Sequence, residues 1–184
     1  MNNCYLDAEA VITFFRMTGR KHIFITGSRG SGKSHLVNNM LKHMSDSFNL
    51  LQSHRTDTPQ VVIKSNLVAD NKEFVIGVPR TSGINPASKG NNMTIIEDGF
   101  INCAIPAIDT HLDTTPERLF VIDELGYLES SCIPFQKAVE KLLDNSHVLA
   151  VIRKQSTEFL NRICNRKDVL VIDGQTGDII SKYE

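Results

Sequence analysis

The octapeptide GSRGSGKS occupies residues Gly27 to Ser34. It fits G-x-x-x-x-G-K-[ST], a pattern in which backbone N–H groups surround a phosphate chain, the lysine reaches the β- and γ-phosphates and the hydroxyl binds Mg²⁺. Glycine at positions 30 and 32 allows unusual φ angles and a close approach of the backbone to an anion. We therefore expect a nucleotide-binding P-loop made of Gly27, Ser28, Arg29, Gly30, Ser31, Gly32, Lys33 and Ser34.

The residues on either side predict the secondary structure that such a loop needs. His22–Thr26 is a short run with apolar and β-branched residues and predicts a buried strand. A helix is predicted after the loop because apolar residues recur there at helical spacing, at Leu36, Val37, Met40, Leu41 and Met44. The helix N-terminus favours an anion. This context argues against a glycine-rich turn with an incidental Lys-Ser pair.

A carboxylate pair follows a second predicted strand, Leu119–Ile122. Hydrolysis needs a metal carboxylate and a group that handles water, and Asp123-Glu124 supplies both in the usual Walker B arrangement. We expect the strand before Asp123 to lie next to the P-loop strand. Asp123, at the end of that strand, would then hold Mg²⁺ together with Ser34. Glu124 would orient or deprotonate the attacking water, a role that contributes about 10²–10⁴-fold to the rate. The alternative is a helix N-cap followed by a surface glutamate.

The same acidic stretch also matches a pattern of switch GTPases. Asp123-Glu124-Leu125-Gly126 fits D-x-x-G, which would indicate a guanine-specific switch. Guanine specificity would normally come with N-K-x-D after a later strand. Asn165-Arg166-Lys167-Asp168 has the lysine displaced, and Asn71-Lys72-Glu73-Phe74 lacks the final aspartate. We therefore expect loose selectivity for the base.

A further cation is expected near the phosphates, because the transition state of phosphoryl transfer carries spread negative charge. Arg153 is the first candidate, since it follows the predicted strand His147–Ile152 at the edge of the sheet where ligands bind. Weaker candidates are Arg29, Arg80, Arg162 and Arg166. An arginine from a neighbouring subunit is an equal alternative.

Strands alternate with predicted helices along the rest of the chain, which predicts an α/β fold with a mainly parallel sheet flanked by helices. Gln60–Asn66 and Glu73–Val78 flank a turn and predict an added antiparallel β-hairpin. The other predicted elements are strands at Asn49–Ser53, Met93–Ile96 and Val169–Ile172, and helices at Phe100–Leu112 (interrupted near Pro106), after Pro134, and at Thr157–Cys164.

We expect residues 1–184 to form one P-loop domain, since no linker divides the chain. Residues 1–20 carry an accessory helix, with Ala8, Val11, Ile12 and Phe15 on one face. Thr81–Asn92 is rich in glycine and asparagine and predicts a loop. That loop is either a flap over the nucleotide or a solvated excursion without a role.

Composition narrows the choice of partners and compartment. Twenty basic and twenty-one acidic residues leave a net charge of -1, which argues against nucleic acid as the main partner. The four cysteines form no C-x-x-C pair, so neither a disulfide framework nor a zinc site is expected. A signal peptide and a run of membrane-spanning length are both missing from the sequence. These features predict a cytoplasmic protein that does not bind membranes.

Taken in order, these motifs resemble the THEP1-like nucleoside-triphosphatases, over about His22 to Ile172. The most specific stretch is DELGYLE at Asp123–Glu129, similar to that family's D-E-I-G-x-M-E with Leu128 in place of methionine. The resemblance implies a RecA-like sheet and slow, Mg²⁺-dependent hydrolysis of several nucleoside triphosphates to diphosphate and phosphate. It assigns the metal aspartate to Asp123 and the catalytic glutamate to Glu124. Gly174–Asp178 departs from the family's closing Asn-Arg, so no C-terminal arginine is carried over.

The leading hypothesis is therefore a nucleoside-triphosphatase acting on ATP, GTP, CTP and UTP, with Lys33, Glu124 and Arg153 as catalytic residues. A nucleotide or nucleoside kinase is the alternative, but such an enzyme needs an arginine-rich lid. The region between the two motifs has only Arg55, Arg80 and Arg118. A third hypothesis is a nucleotide-gated binding protein that acts through its N-terminal helix or the Thr81–Asn92 loop. Protein partners and self-association stay open.

Overall fold

The structure is a computed structural model that describes residues 6–44, 47–80 and 93–183. Its main elements are α1 (Ala8–Thr18), β1 (His22–Thr26), α2 (Lys33–Met44), β2 (Phe48–Arg55), β3 (Val61–Ser65), β4 (Phe74–Pro79), β5 (Met93–Ile95), α3 (Glu97–Gly99), α4 (Ile105–Thr114), β6 (Leu119–Leu125), α5 (Ile133–Asn145), β7 (His147–Ile152), α6 (Glu158–Cys164) and β8 (Val169–Asp173). A π-helical segment, Phe100–Ala104, joins α3 to α4, and short 3₁₀ turns lie at Ala69–Asn71 and Glu129–Ser131.

The described strands form one sheet in the order β5-β4-β3-β2-β6-β7-β1-β8. The half from β2 to β8 is parallel, because β2 pairs with β6, β6 with β7, and β1 with both β7 and β8. The other half, from β2 through β3 and β4 to β5, is antiparallel. The predicted α/β fold with an antiparallel addition is thus confirmed. The addition extends the hairpin by a third strand, β5.

One predicted adjacency is wrong. Asp123 lies on β6, which was expected beside the P-loop strand β1, but β7 lies between them. Leu149 of β7 is paired with Ile23 on one side and Val121 on the other. The residues of β7 after His147 are all buried, as expected for a strand at the centre of a sheet. Since neighbouring strands are about 4.8 Å apart, β1 and β6 are separated by about 10 Å.

Apolar side chains bury both faces of this sheet. On one face, α1 and α2 pack against Val121, Leu149 and Val151. The other face is covered by α4, α5 and α6, with Phe120 and Phe135 in its core. The helix predicted after Pro134 is α5, and its apolar residues are buried, at Phe135, Ala138, Val139, Leu142 and Leu143.

The N-terminal helix predicted in residues 1–20 is α1, with Asp7 as its N-cap and Gly19 as its left-handed C-cap. The helix predicted at Phe100–Leu112 is confirmed, and its interruption is the π-helical segment Phe100–Ala104 just before α4. The Thr81–Asn92 loop lies outside the described residues.

Other expectations concern cysteines and membranes. Cys103, Cys132 and Cys164 are buried as free thiols, and Cys4 lies outside the described residues. Among the helices that the structure describes, none combines the length and apolar character needed to cross a membrane.

Candidate active site

The P-loop connects the end of β1 to the first residue of α2. Three of its glycines have positive φ angles, 141° at Gly27, 76° at Gly30 and 85° at Gly32. A Cβ atom at Gly27 would lie 2.9 Å from Oγ of Ser31, so the loop is also closely packed there. The prediction for Gly30 and Gly32 is confirmed, and Gly27 shares the same backbone property.

Lys33 folds back over the loop. Its Nζ donates hydrogen bonds to the carbonyl oxygens of Gly27, at 3.1 Å, and Ser28, at 2.7 Å. Burial lowers the pKa of Lys33, and the charge of Arg153 lowers that pKa further. Neutral carbonyls are weaker partners for an ammonium group than phosphate oxygens, so a triphosphate can replace them. Oγ of Ser31 is also buried, without a hydrogen-bond partner in the described part of the chain. A buried hydroxyl of this kind suits a phosphate ligand.

All eight P-loop residues line a cleft of about 1000 Å³. The cleft also contains Asp123 and Glu124 from β6 and Arg153 from the end of β7. These residues come from three strands that end at the same edge of the sheet, which is where open α/β sheets bind ligands. The structure thus brings together the residues that the sequence singled out for phosphate, metal and water.

Asp123 and Ser34 offer the hard oxygen ligands that Mg²⁺ prefers. Nε2 of Gln52, on the neighbouring strand β2, donates to Oδ2 of Asp123 at 3.0 Å and fixes that carboxylate. Within the described ranges, no group of three or more histidine, cysteine or acidic residues could hold a metal. A partial set of ligands fits Mg²⁺, which usually takes one or two carboxylates and completes its shell with water and substrate phosphates.

Glu124 has a backbone conformation that is rare for residues other than glycine, with φ of 97°. It lies where the pairing of β6 with β7 shifts register, between Ile122 and Leu125. Such conformations cost about 1–3 kcal/mol and persist only where the surroundings impose them. The carboxylate of Glu124 accepts a hydrogen bond from Nε of Arg153. The backbone N–H of Arg153 also donates to the carbonyl of Leu125, at 2.9 Å.

Arg153 lies in the cleft, as predicted for the first candidate cation. Burial lowers its pKa, and the charges of Arg55 and Arg29 lower that pKa further, so both of these guanidinium groups lie within electrostatic range of Arg153. A Cβ atom at Gly126 would lie 2.9 Å from Cδ of Arg153, so the absence of a side chain there makes room for the arginine.

The weaker candidates differ in position. Arg29 lines the cleft, whereas exposed Arg80 is not among the described lining residues. Arg162 pairs with Glu140 outside the cleft. Arg166 is bound to Asp144 and Asp168, near the start of β8 and therefore at the opposite edge of the sheet.

Sequence reasoning missed three polar residues that support this site: Gln52, Ser53 and Glu129. Glu129 is only 6% exposed, and burial raises its pKa. It accepts hydrogen bonds from the N–H of Gly126, at 3.0 Å, and from Oγ of Ser53, at 3.2 Å. The N–H of Gly126 is thereby engaged within the protein, which weakens the switch-GTPase interpretation. Glu129 is the final glutamate of the DELGYLE motif, so the sequence contained a signal for it. Nothing in the pattern of the β2 strand distinguished Gln52.

Known proteins are similar to this chain over most of its length. The model of a family described as NTPase matches residues 22–181. Nucleoside-triphosphatase THEP1 of Thermotoga sp. (strain RQ2) is 26% identical over 153 residues, covering 82% of this chain and 84% of that protein. THEP1 of Thermotoga maritima is 24% identical over 152 residues, with the same coverage.

Two solved structures have a similar fold. The crystal structure of THEP1 from Aquifex aeolicus superposes with a TM-score of 0.65 at 17% identity, covering 84% of this chain and 90% of that chain. The solution structure of a human cancer-related nucleoside triphosphatase gives a TM-score of 0.59 at 19% identity, covering 83% and 88%. At these identities the likeness supports the fold alone.

Proposed function

This chain belongs to the NTPase family and is a nucleoside-triphosphatase, and from that premise we propose that it hydrolyses several nucleoside triphosphates with Mg²⁺ and with water activated by Glu124. One observation carries the proposal: the P-loop, Asp123, Glu124 and Arg153 line one cleft. The proposed substrates are ATP, GTP, CTP and UTP. The motifs contact the phosphate chain rather than the base, and neither N-K-x-D candidate fits the pattern that selects guanine.

Binding begins with the phosphates. The P-loop N–H groups surround the β-phosphate, and Nζ of Lys33 exchanges the carbonyls of Gly27 and Ser28 for β- and γ-phosphate oxygens. Ser34 and Asp123 would hold Mg²⁺, which would neutralise part of the negative charge of the triphosphate. The hydrogen bond from Gln52 keeps the carboxylate of Asp123 in place for that role.

Hydrolysis requires a proton acceptor and a stabilising cation. The oxygen of water attacks the γ-phosphorus, its proton passes to Glu124, and the bond from the γ-phosphorus to the bridging oxygen breaks. Arg153 binds Glu124 before the triphosphate arrives. The added negative charge draws the guanidinium toward the γ-phosphate, which releases the carboxylate to the water and stabilises the transition state.

We also propose that residues 1–184 act as one domain. The support is that a single sheet joins the strands on both sides of the P-loop and that α1 packs onto α2.

The test is phosphate release from the four triphosphates, with Mg²⁺ and with excess EDTA. Glu124→Gln removes the proton acceptor and should lower kcat by at least about 100-fold while the affinity for nucleotide persists. Glu140→Gln is the matched control, since Glu140 pairs with Arg162 outside the cleft, and it should keep the wild-type rate. Full turnover in Glu124→Gln, or in EDTA, would refute the proposal. A Lys33→Ala variant with unchanged affinity and rate would remove the site assignment.

A further inference from the structure

The cleft continues past Glu124, away from the P-loop. Its outer part is lined by the end of β2 and by residues from the antiparallel half of the sheet and the turn after β6: His54, Arg55, Val61, Met93, Tyr127 and Leu128. In the strand order, β2 and β3 follow β6 on the side remote from β1. The outer cleft therefore extends about 10 Å, or two strand spacings, beyond the acidic pair.

The geometry of phosphoryl transfer relates the outer cleft to the reaction. In phosphoryl transfer the attacking and leaving oxygens lie roughly in line on opposite sides of the γ-phosphorus. Lys33 over β1 marks the side of the leaving β-phosphate, and Glu124 on β6 marks the side of the attacking oxygen. The outer cleft thus begins where the attacking oxygen lies. A single water molecule has no need of a space of that size.

The side chains that line the outer cleft include a positive charge, an aromatic ring and apolar groups. Arg55 is exposed at the end of β2, and its guanidinium forms no ion pair with any carboxylate among residues 6–44, 47–80 and 93–183. The interaction of its charge with Arg153 shows that it lies within electrostatic range of the catalytic cation. The same cleft is lined by the ring of Tyr127, 36% exposed, and by the apolar side chains of Met93 and of Val61, which is the cross-strand partner of Arg55. A guanidinium that has no ion-pair partner among the described residues, in one cleft with an aromatic ring and apolar side chains, suits a ligand that joins a phosphate to a flat ring.

We propose that this outer cleft binds a nucleoside monophosphate as a second ligand, with its phosphate on Arg55, on the attacking side of the γ-phosphate. The inference rests on the proposed function, because the direction of attack is defined by Lys33 and Glu124. It goes beyond that function in assigning a binding site that hydrolysis by water does not use.

The test is calorimetric titration of AMP, CMP, GMP and UMP into protein already saturated with Mg²⁺ and the non-hydrolysable analogue AMP-PNP, so that the P-loop is filled. At least one monophosphate should bind, and Arg55→Ala should weaken that binding by at least about tenfold, because a charge-assisted phosphate contact is lost. Arg16→Ala removes an exposed arginine of α1 outside the cleft and is the matched control. It should bind the monophosphate as the wild type does.

Arg55→Ala should keep the wild-type affinity for AMP-PNP, because Arg55 lies on β2, on the far side of β6 from the P-loop strand. The proposal is overturned if no monophosphate binds the loaded protein, if Arg55→Ala binds it as tightly as the wild type, or if Arg55→Ala loses affinity for AMP-PNP. Failure of the proposed function gives a different result, in which the wild type binds the monophosphate but does not release phosphate from any triphosphate.

Discussion

Nε of Arg153 donates a hydrogen bond to Oε1 of Glu124, so the proposed cation holds the proposed base. The side chains are 45% and 31% exposed. Ion pairs with this much access to water contribute about 0–1 kcal/mol to stability. A triphosphate carries several negative charges and can separate such a weak pair. The pair is therefore suited to hold Glu124 in place before substrate binds and to release it afterwards.

Arg153→Ala should lower kcat by about 10²–10³-fold, the usual cost of removing one preorganised donor to a developing charge. The melting temperature should change little, because the lost pair is exposed. Steady-state kinetics and thermal unfolding measure the two effects. Arg162→Ala is the control, since Arg162 pairs with Glu140 outside the cleft. If Arg153→Ala kept the wild-type kcat, another arginine would stabilise the transition state. Arg29, in the same cleft, would be the next candidate.

The local parts of this site were predictable because they depend on neighbours along the chain. An apolar run, a glycine loop and helical spacing were enough to predict β1, the P-loop and α2. The carboxylate pair at the end of an apolar strand was enough to single out Asp123 and Glu124. The confirmed THEP1-like resemblance supported the same residues.

Long-range pairing could not be obtained in this way. The position of β7 between β1 and β6 depends on which buried strands pair, and several apolar strands had equivalent patterns. Gln52 meets Asp123 only because β2 and β6 pair in a particular register. The positive φ of Glu124 likewise accompanies the register shift between β6 and β7, and the residue types in this stretch do not indicate such a shift.

Glu129 is predicted to stabilise the turn that follows β6. Its carboxylate is the acceptor for the N–H of Gly126 and the hydroxyl of Ser53. Glu129→Ala leaves these donors without their partner, so the free energy of unfolding should fall by about 1–3 kcal/mol. Since Gly126 packs against Arg153, kcat should also fall. Urea unfolding and steady-state kinetics measure both changes.

Glu129→Gln separates the shape of this side chain from its charge. The amide keeps one acceptor oxygen, so it should recover part of the lost stability and part of kcat. If Glu129→Ala were as stable and as active as the wild type, the two hydrogen bonds would have no role in holding the turn.

His22 should make the protein less stable in mild acid. It is fully buried at the start of β1, and neither ring nitrogen has a hydrogen-bond partner in the described part of the chain. Burial lowers its pKa from 6.5 to about 4, although the charge of Asp168, 3.5 Å away, opposes the shift. Between these pH values the unfolded chain binds a proton that the folded protein does not, so stability falls as pH falls.

The free energy of unfolding should decrease by about 3 kcal/mol between pH 6.5 and pH 4, at about 1.36 kcal/mol for each pH unit of difference in pKa. Urea unfolding at pH 7, 5.5 and 4.5 measures this slope. His22→Gln removes the titrating group and should flatten the slope, whatever its effect at pH 7.

Part of the slope should persist, because burial also lowers the pKa of His111. Asp168 adds little in this window, because its pKa is lowered from 3.8 to about 2 and most of its effect falls below pH 3.8. An equal slope in His22→Gln and the wild type would show that His22 is protonated in the folded protein.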